Sequence, residues 1–155
     1  MNTIDLPTPE MIKSVNRRFY ERSLKGIEKY DTKLYTNIPE SISRVSNRKI
    51  NKIIKNFPHD KPIIEQSAYW IRAFVLKEFF PDANHRTALS TLQDILREEG
   101  YKVISTTEEN EELINSIKKY RRRNKFHLGM IKQKDKMYQY LVEWLEGKII
   151  NLHKT

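Results

Sequence analysis

A chain of 155 residues without a cysteine is long enough to bury one hydrophobic core, and it has no disulfide framework, thiolate chemistry or cysteine-based metal site. Its 29 Lys plus Arg against 20 Asp plus Glu give a net charge of +9, which favours anionic partners: nucleotides, nucleic acid or an acidic protein. No apolar run approaches the ~20 residues of a membrane span, and the first seven residues lack the basic start and apolar run of a signal peptide, so a single cytoplasmic domain over residues 1–155 with no membrane partner is expected.

In chain order, Thr8-Pro9-Glu10 is a helix start, with Thr8 placed to cap and Pro9 tolerated in the first turn. Met11, Ile12, Val15 and Phe19 follow at helical spacing, and the helix is predicted to run to about Tyr30. Residues 31–46 hold Tyr35, Pro39 and several Ser, Thr and Asn without a clean period, and read as a loop or flap containing a short helix or an extended pair. Ser46 can cap a helix bearing Ile50, Ile53, Ile54 and Phe57, which Pro58 helps to end.

From about residue 62 to 79 the sequence is apolar around most of a helical circumference, which predicts the central buried helix. A turn and helix follow over 80–99, with Ala88, Leu89, Leu92, Ile95 and Leu96 on one face and Gly100 where a helix stops in a left-handed conformation. Residues 101–105 read as a short extended link, and Thr106-Thr107-Glu108-Glu109 as a capping box for a helix with Leu113, Ile117 and Tyr120. A last helix carries Met137, Tyr140, Leu141, Trp144 and Leu145 and closes near Gly147. The expectation is an all-α, compact bundle of about six helices.

The most informative stretch is Phe80-Pro81-Asp82-Ala83-Asn84-His85-Arg86-Thr87-Ala88-Leu89. A helix N-terminus offers unpaired N–H groups and partial positive charge, so a polar turn placed there suits a phosphate. Asp82, Asn84 and Arg86 could then supply metal ligation, orientation and charge. The same residues also read as a cap (Asp82, Asn84) and a solvated first-turn cation (Arg86).

This stretch resembles the Fic/Doc family motif, His-x-Phe-x-(Asp/Glu)-(Gly/Ala)-Asn-x-(Arg/Lys), and is most similar to the Doc-like (death-on-curing) branch, which continues Arg-Thr-Ala-Leu. The resemblance runs over residues 6–145 and is sharpest over 79–101, including Leu96-Arg97-Glu98-Glu99-Gly100-Tyr101. It implies a Fic/Doc-like helical fold that transfers AMP or phosphate from a nucleotide such as ATP, with Mg²⁺, to a hydroxyl of a target protein. By the resemblance, Asp82 would ligate Mg²⁺, and Ala83, Asn84, His85 and Arg86 would line the nucleotide phosphates. Phe80 would anchor the turn, and Glu78, Asn84 and Arg86 would be the catalytic set. Glu78 stands where the family has its catalytic His. A carboxylate is a weaker base than imidazole at pH 7, and loss of a general base costs ~10²–10⁴ in rate, so a weakened or lost transferase is expected. The partners expected are a target protein and, as an acidic protein that residues 118–127 could hold, an antitoxin-like inhibitor.

Residues 118–127, Lys-Lys-Tyr-Arg-Arg-Arg-Asn-Lys-Phe-His, support a different function. Clustered cations with interleaved aromatics can hold a nucleic-acid backbone or an acidic protein. The same run also reads as a solvated helix end, where Lys and Arg are favoured.

Overall fold

The computed structural model describes residues 5–153; residues 1–4, read above for a leader, and 154–155 lie outside the described residues. Seven α-helices occur among them: α1 (Pro9–Leu24), α2 (Ile38–Ser43), α3 (Asn47–Lys55), α4 (Ile63–Lys77), α5 (Asn84–Glu98), α6 (Thr107–Arg123) and α7 (Lys136–Leu145). Two short strands, β1 (Tyr101–Val103) and β2 (Ile149–Asn151), pair antiparallel with Lys102 opposite Ile150. The molecule is therefore mostly helical with a small ladder, and it has one more helix than the sequence suggested. No helix among the described residues is long and apolar enough to cross a membrane.

Caps set most boundaries. Thr8, Ser46 and Thr106 accept from the N–H groups of Met11, Lys49 and Glu109, and the Glu109 carboxylate completes the box by accepting from the Thr106 N–H. α4 is the core element: every residue from Gln66 to Leu76 is buried, and it packs against α5, α6 and α7. Most of its polar side-chain atoms are paired, as burial demands, the Gln66 Oε1 being an exception. Trp70 Nε1 donates to Thr91 Oγ1 (2.8 Å) on α5, Tyr69 donates to the Ile53 carbonyl (2.6 Å) on α3, and Arg72 reaches Asp135 at the start of α7.

One expectation is corrected and two are made specific. The first helix ends at Leu24 rather than about Tyr30, because Gly26 takes φ +73° and the N–H groups of Gly26 and Ile27 turn back to the carbonyls of Ser23 and Arg22. That paired closure uses the last free carbonyls and stops the helix despite the apolar Ile27 beyond it. Of the two alternatives for the 31–46 stretch the short helix is present, α2, capped by Asn37. The 101–105 link is extended as expected, and its first three residues form β1, paired because β2 returns beyond Gly147 and the Leu152 N–H donates to the Gly100 carbonyl (2.8 Å). Gly100 sits at φ +81°, and a Cβ there would run into the His153 ring.

Candidate functional site

The turn between α4 and α5 carries two non-glycine residues in the left-handed region, Glu78 at φ +50° and Ala83 at φ +61°. Such conformations persist only where surroundings over-determine them. Two asparagines do so. The Asn84 amide closes on Phe80, with Oδ1 accepting its N–H (3.0 Å) and Nδ2 donating to its carbonyl (3.0 Å). Asn16, fully buried on α1, donates to the Asp82 carbonyl (2.8 Å) and to Thr87 Oγ1 (3.0 Å), while its own Oδ1 accepts from Tyr30 (2.8 Å). The turn is thus held from both sides, and Ala83 caps α5 without a side-chain hydrogen bond. The first N–H groups of α5 are left for solvent or an anion.

The side chains divide into two groups. On one side Arg86 donates from Nη1 to Glu28 Oε2 (2.8 Å) and from Nη2 to the Lys29 carbonyl (2.6 Å), stacks over Phe19, and lies 3.8 Å from Asp82. Asp82 Oδ2 accepts from the Asp31 N–H (2.7 Å). Glu28 is shared, since its Oε1 also meets Arg22 (3.1 Å). The loop freed by the early end of α1 therefore lies along the motif and places a carboxylate on the arginine expected to meet phosphate.

On the other side the exposed Glu78 carboxylate is ion-paired with Arg121 near the end of α6. An open groove of about 640 Å³ lies there, lined by Glu78, Lys118, Arg121 and Arg122 among others. The basic segment and the motif, read as separate features in the sequence, share this groove. His85 Nε2 is buried without a hydrogen-bond partner. Burial, then the charges of Arg121 and Lys118, push the His85 pKa down to about 4 from the usual 6.5. It is a neutral imidazole at neutral pH.

A histidine whose folded pKa lies below its unfolded value binds its proton first in the unfolded chain, so its contribution is present above 6.5 and lost as pH falls toward about 4. The urea midpoint is expected to fall through that window, and to fall less in His85→Gln. Equal slopes in the two proteins would contradict this placement of His85.

Of the expected site residues, Asp82 and Arg86 come together, Glu78 points to Arg121, Asn84 serves the backbone, and the His85 Nε2 is buried without a partner. Asn16, Glu28 and Tyr30 were not foreseen. Asn16 had a signal, a polar residue four places beyond Ile12 on the buried stripe of α1; Glu28 had none, because its partner lies 58 residues away. Among the described residues no group of three or more His, Cys, Asp and Glu is placed to hold a metal ion. A divalent cation could meet Asp82 while drawing its other ligands from phosphate and water, which is how Mg²⁺ is commonly held. No family model matches the chain, and no curated protein and no solved structure matches it.

Proposed function

We propose that the α5 turn is a phosphate site for a magnesium nucleotide such as ATP, in a Fic/Doc-like protein whose transfer of AMP or phosphate to a target hydroxyl is weak or lost. The observation that carries this reading is the strained, doubly clamped turn ending in the left-handed cap at Ala83, which leaves the first N–H groups of α5 without a side-chain cap close to Arg86. A phosphate there would accept from the first-turn N–H groups and from Arg86, a charge-assisted pairing stronger than a neutral one. Bound Mg²⁺ would supply charge neutralisation of the phosphate oxygens, with Asp82 as its protein ligand.

Weak transfer is supported by Glu78. Transfer requires the target hydroxyl to give up its proton as its oxygen bonds phosphorus, and at the position expected to take that proton Glu78 is an ion-paired carboxylate. The Arg121 guanidinium competes for the lone pairs a base would use. Asn84, with both ends of its amide on Phe80, positions the turn rather than reaching the reacting atoms.

A second reading, a non-catalytic basic module for nucleic acid or an acidic protein through residues 118–127, is favoured by the groove that Lys118, Arg121 and Arg122 line. The first reading is tested by thermal unfolding with and without millimolar ATP and Mg²⁺. Ligand at ~100 times its Kd adds ~2.7 kcal/mol, a rise of several degrees in midpoint. No rise, with the fold intact, would overturn the nucleotide site.

A further inference from the structure

We propose that α3, together with the segment that closes against it around Leu128, is a docking face for the phosphate backbone of a nucleic-acid duplex. This inference stands apart from the α5 turn and does not rest on the nucleotide reading. Arg48, Lys49, Lys52 and Lys55 are exposed on α3, and none of them has an acidic partner among the described residues. Residues 41–59 contain no Asp or Glu at all. Ile50 and Ile53 are fully buried on the opposite side, so the basic stripe is fixed outward.

The stripe is arranged against the needs of α3 itself. Arg48 and Lys49 occupy the first turn, where the helix dipole disfavours cations; α3 carries no acid of its own there, and the Glu10 carboxylate of α1 reaches Asn47 (3.1 Å) but pairs with neither cation. Arg48 and Lys52 are four apart, and Lys49, Lys52 and Lys55 follow at intervals of three, spacings at which like charges repel along a helix. Lys52 and Lys55 alone would suit the helix C-terminus; the first-turn pair, which forms no ion pair within the described residues, gains from an anion outside the chain.

The surface continues the charge. A groove of about 580 Å³ runs along these four cations and the amides of Asn51 and Asn56, with Leu128 lining it from the acid-free run 118–134. Lys55 also lines a neighbouring cavity of about 350 Å³ with Lys61, Lys132 and Lys134, whose two carboxylates are Asp60 and Glu65. Glu65 is already held by Lys134 (3.2 Å). From Arg48 to Lys55 the helix advances about 10 Å, the axial length of about three phosphates on one strand. An acidic protein is the poorer fit, because Leu128 is the one apolar residue lining the groove and protein interfaces are anchored by an apolar or aromatic centre. A single strand is poorer too, since no aromatic side chain lines the groove for bases to stack on.

The test is fluorescence anisotropy of a labelled DNA duplex of mixed sequence, titrated with the full chain over a KCl series. Binding is expected, with log affinity falling linearly with log salt. The variant Arg48→Gln/Lys49→Gln/Lys52→Gln/Lys55→Gln is expected to lose at least ~10-fold in affinity and to reduce the slope by about three to four, while its unfolding midpoint holds or rises. An equal charge loss at the exposed Arg18, Lys25, Arg97 and Lys102 is expected to change affinity by less than about threefold, because screening confines the effect of distant charges. If the fourfold variant loses its helical signal, Arg48→Gln/Lys49→Gln carries the same test with a slope change of about two. No binding by the parent chain, equal loss in the two charge-matched variants, tighter binding of the single strand, or binding of polyglutamate as tight as that of the duplex would each overturn the proposal.

Discussion

Replacing Asp135 with Ala is expected to cost roughly 3–5 kcal/mol of stability at neutral pH, the range for breaking a buried ion pair by removing one partner. Asp135 accepts from Arg72 Nε (3.0 Å) and Nη2 (2.6 Å), from the Tyr120 hydroxyl, and from the Tyr138 N–H (2.9 Å), where it caps α7. Arg72 lies at the centre of α4 and is 1% exposed, so without the carboxylate a buried guanidinium keeps the Met130 and Ile131 carbonyls and the face of Phe126 but no counter-charge. The lost cap adds ~1 kcal/mol. Against a total stability of ~5–15 kcal/mol this is a large share. The double variant Arg72→Met/Asp135→Ala is expected to cost less than Asp135→Ala alone, because it removes the stranded charge with its partner.

The same pair sets a pH dependence. Burial alone would raise the Asp135 carboxyl, but the hydrogen bonds from Arg72, Tyr120 and Tyr138 outweigh it and hold it below the usual 3.8. A carboxylate lowered in the folded state contributes stability above its unfolded pKa and loses that contribution as pH falls through the folded one. Its share is therefore full at pH 7 and disappears below about pH 3.8. Urea unfolding at neutral pH checks the mutational effect, and a loss under ~1 kcal/mol in Asp135→Ala would contradict the coupling of α4, α6 and α7 through this carboxylate.

The second large effect concerns Glu28. Glu28→Gln is expected to tighten binding of ATP with Mg²⁺ about tenfold, ~1.4 kcal/mol, because Glu28 now neutralises the arginine that a phosphate would meet. Arg86→Ala is expected to abolish the binding, and the double variant to match Arg86→Ala. The competition is direct: one guanidinium, 35% exposed, faces either the Glu28 carboxylate at 2.8 Å or an incoming phosphate. Unchanged affinity in Glu28→Gln would mean that Arg86 serves only to tie the 28–31 loop to α5. Titration calorimetry on the three variants separates these outcomes.

Local chemistry was the part legible in the sequence. Thr8, Ser46 and the Thr106/Glu109 box cap their helices as read, Gly100 takes its left-handed stop, and the apolar run before the motif is the central helix. Gly26 was not read as a stop because the apolar period continues past it to Ile27, and only the returning N–H groups show the closure. β2 is three residues long and owes its extended form to its pairing with β1. Asp135 escaped notice as a cap because its weight comes from Arg72, 63 residues away. At the motif the residue types suggested chemistry, whereas their partners are tertiary: Glu28 on Arg86, Asp31 on Asp82 and Arg121 on Glu78. Asn84 shows the limit most clearly, since its position in the motif said nothing of an amide spent on the Phe80 backbone.

The central claim is that phosphate meets the start of α5, and amide-resolved NMR during titration with ATP and Mg²⁺ tests it most directly. The expected result is that the largest shifts fall on the N–H groups of Ala83, Asn84, His85 and Arg86, with smaller ones at Glu28 and Asp31 as the loop gives up its contacts. Shifts confined to α3 and to residues 118–134, or none at all, would contradict it.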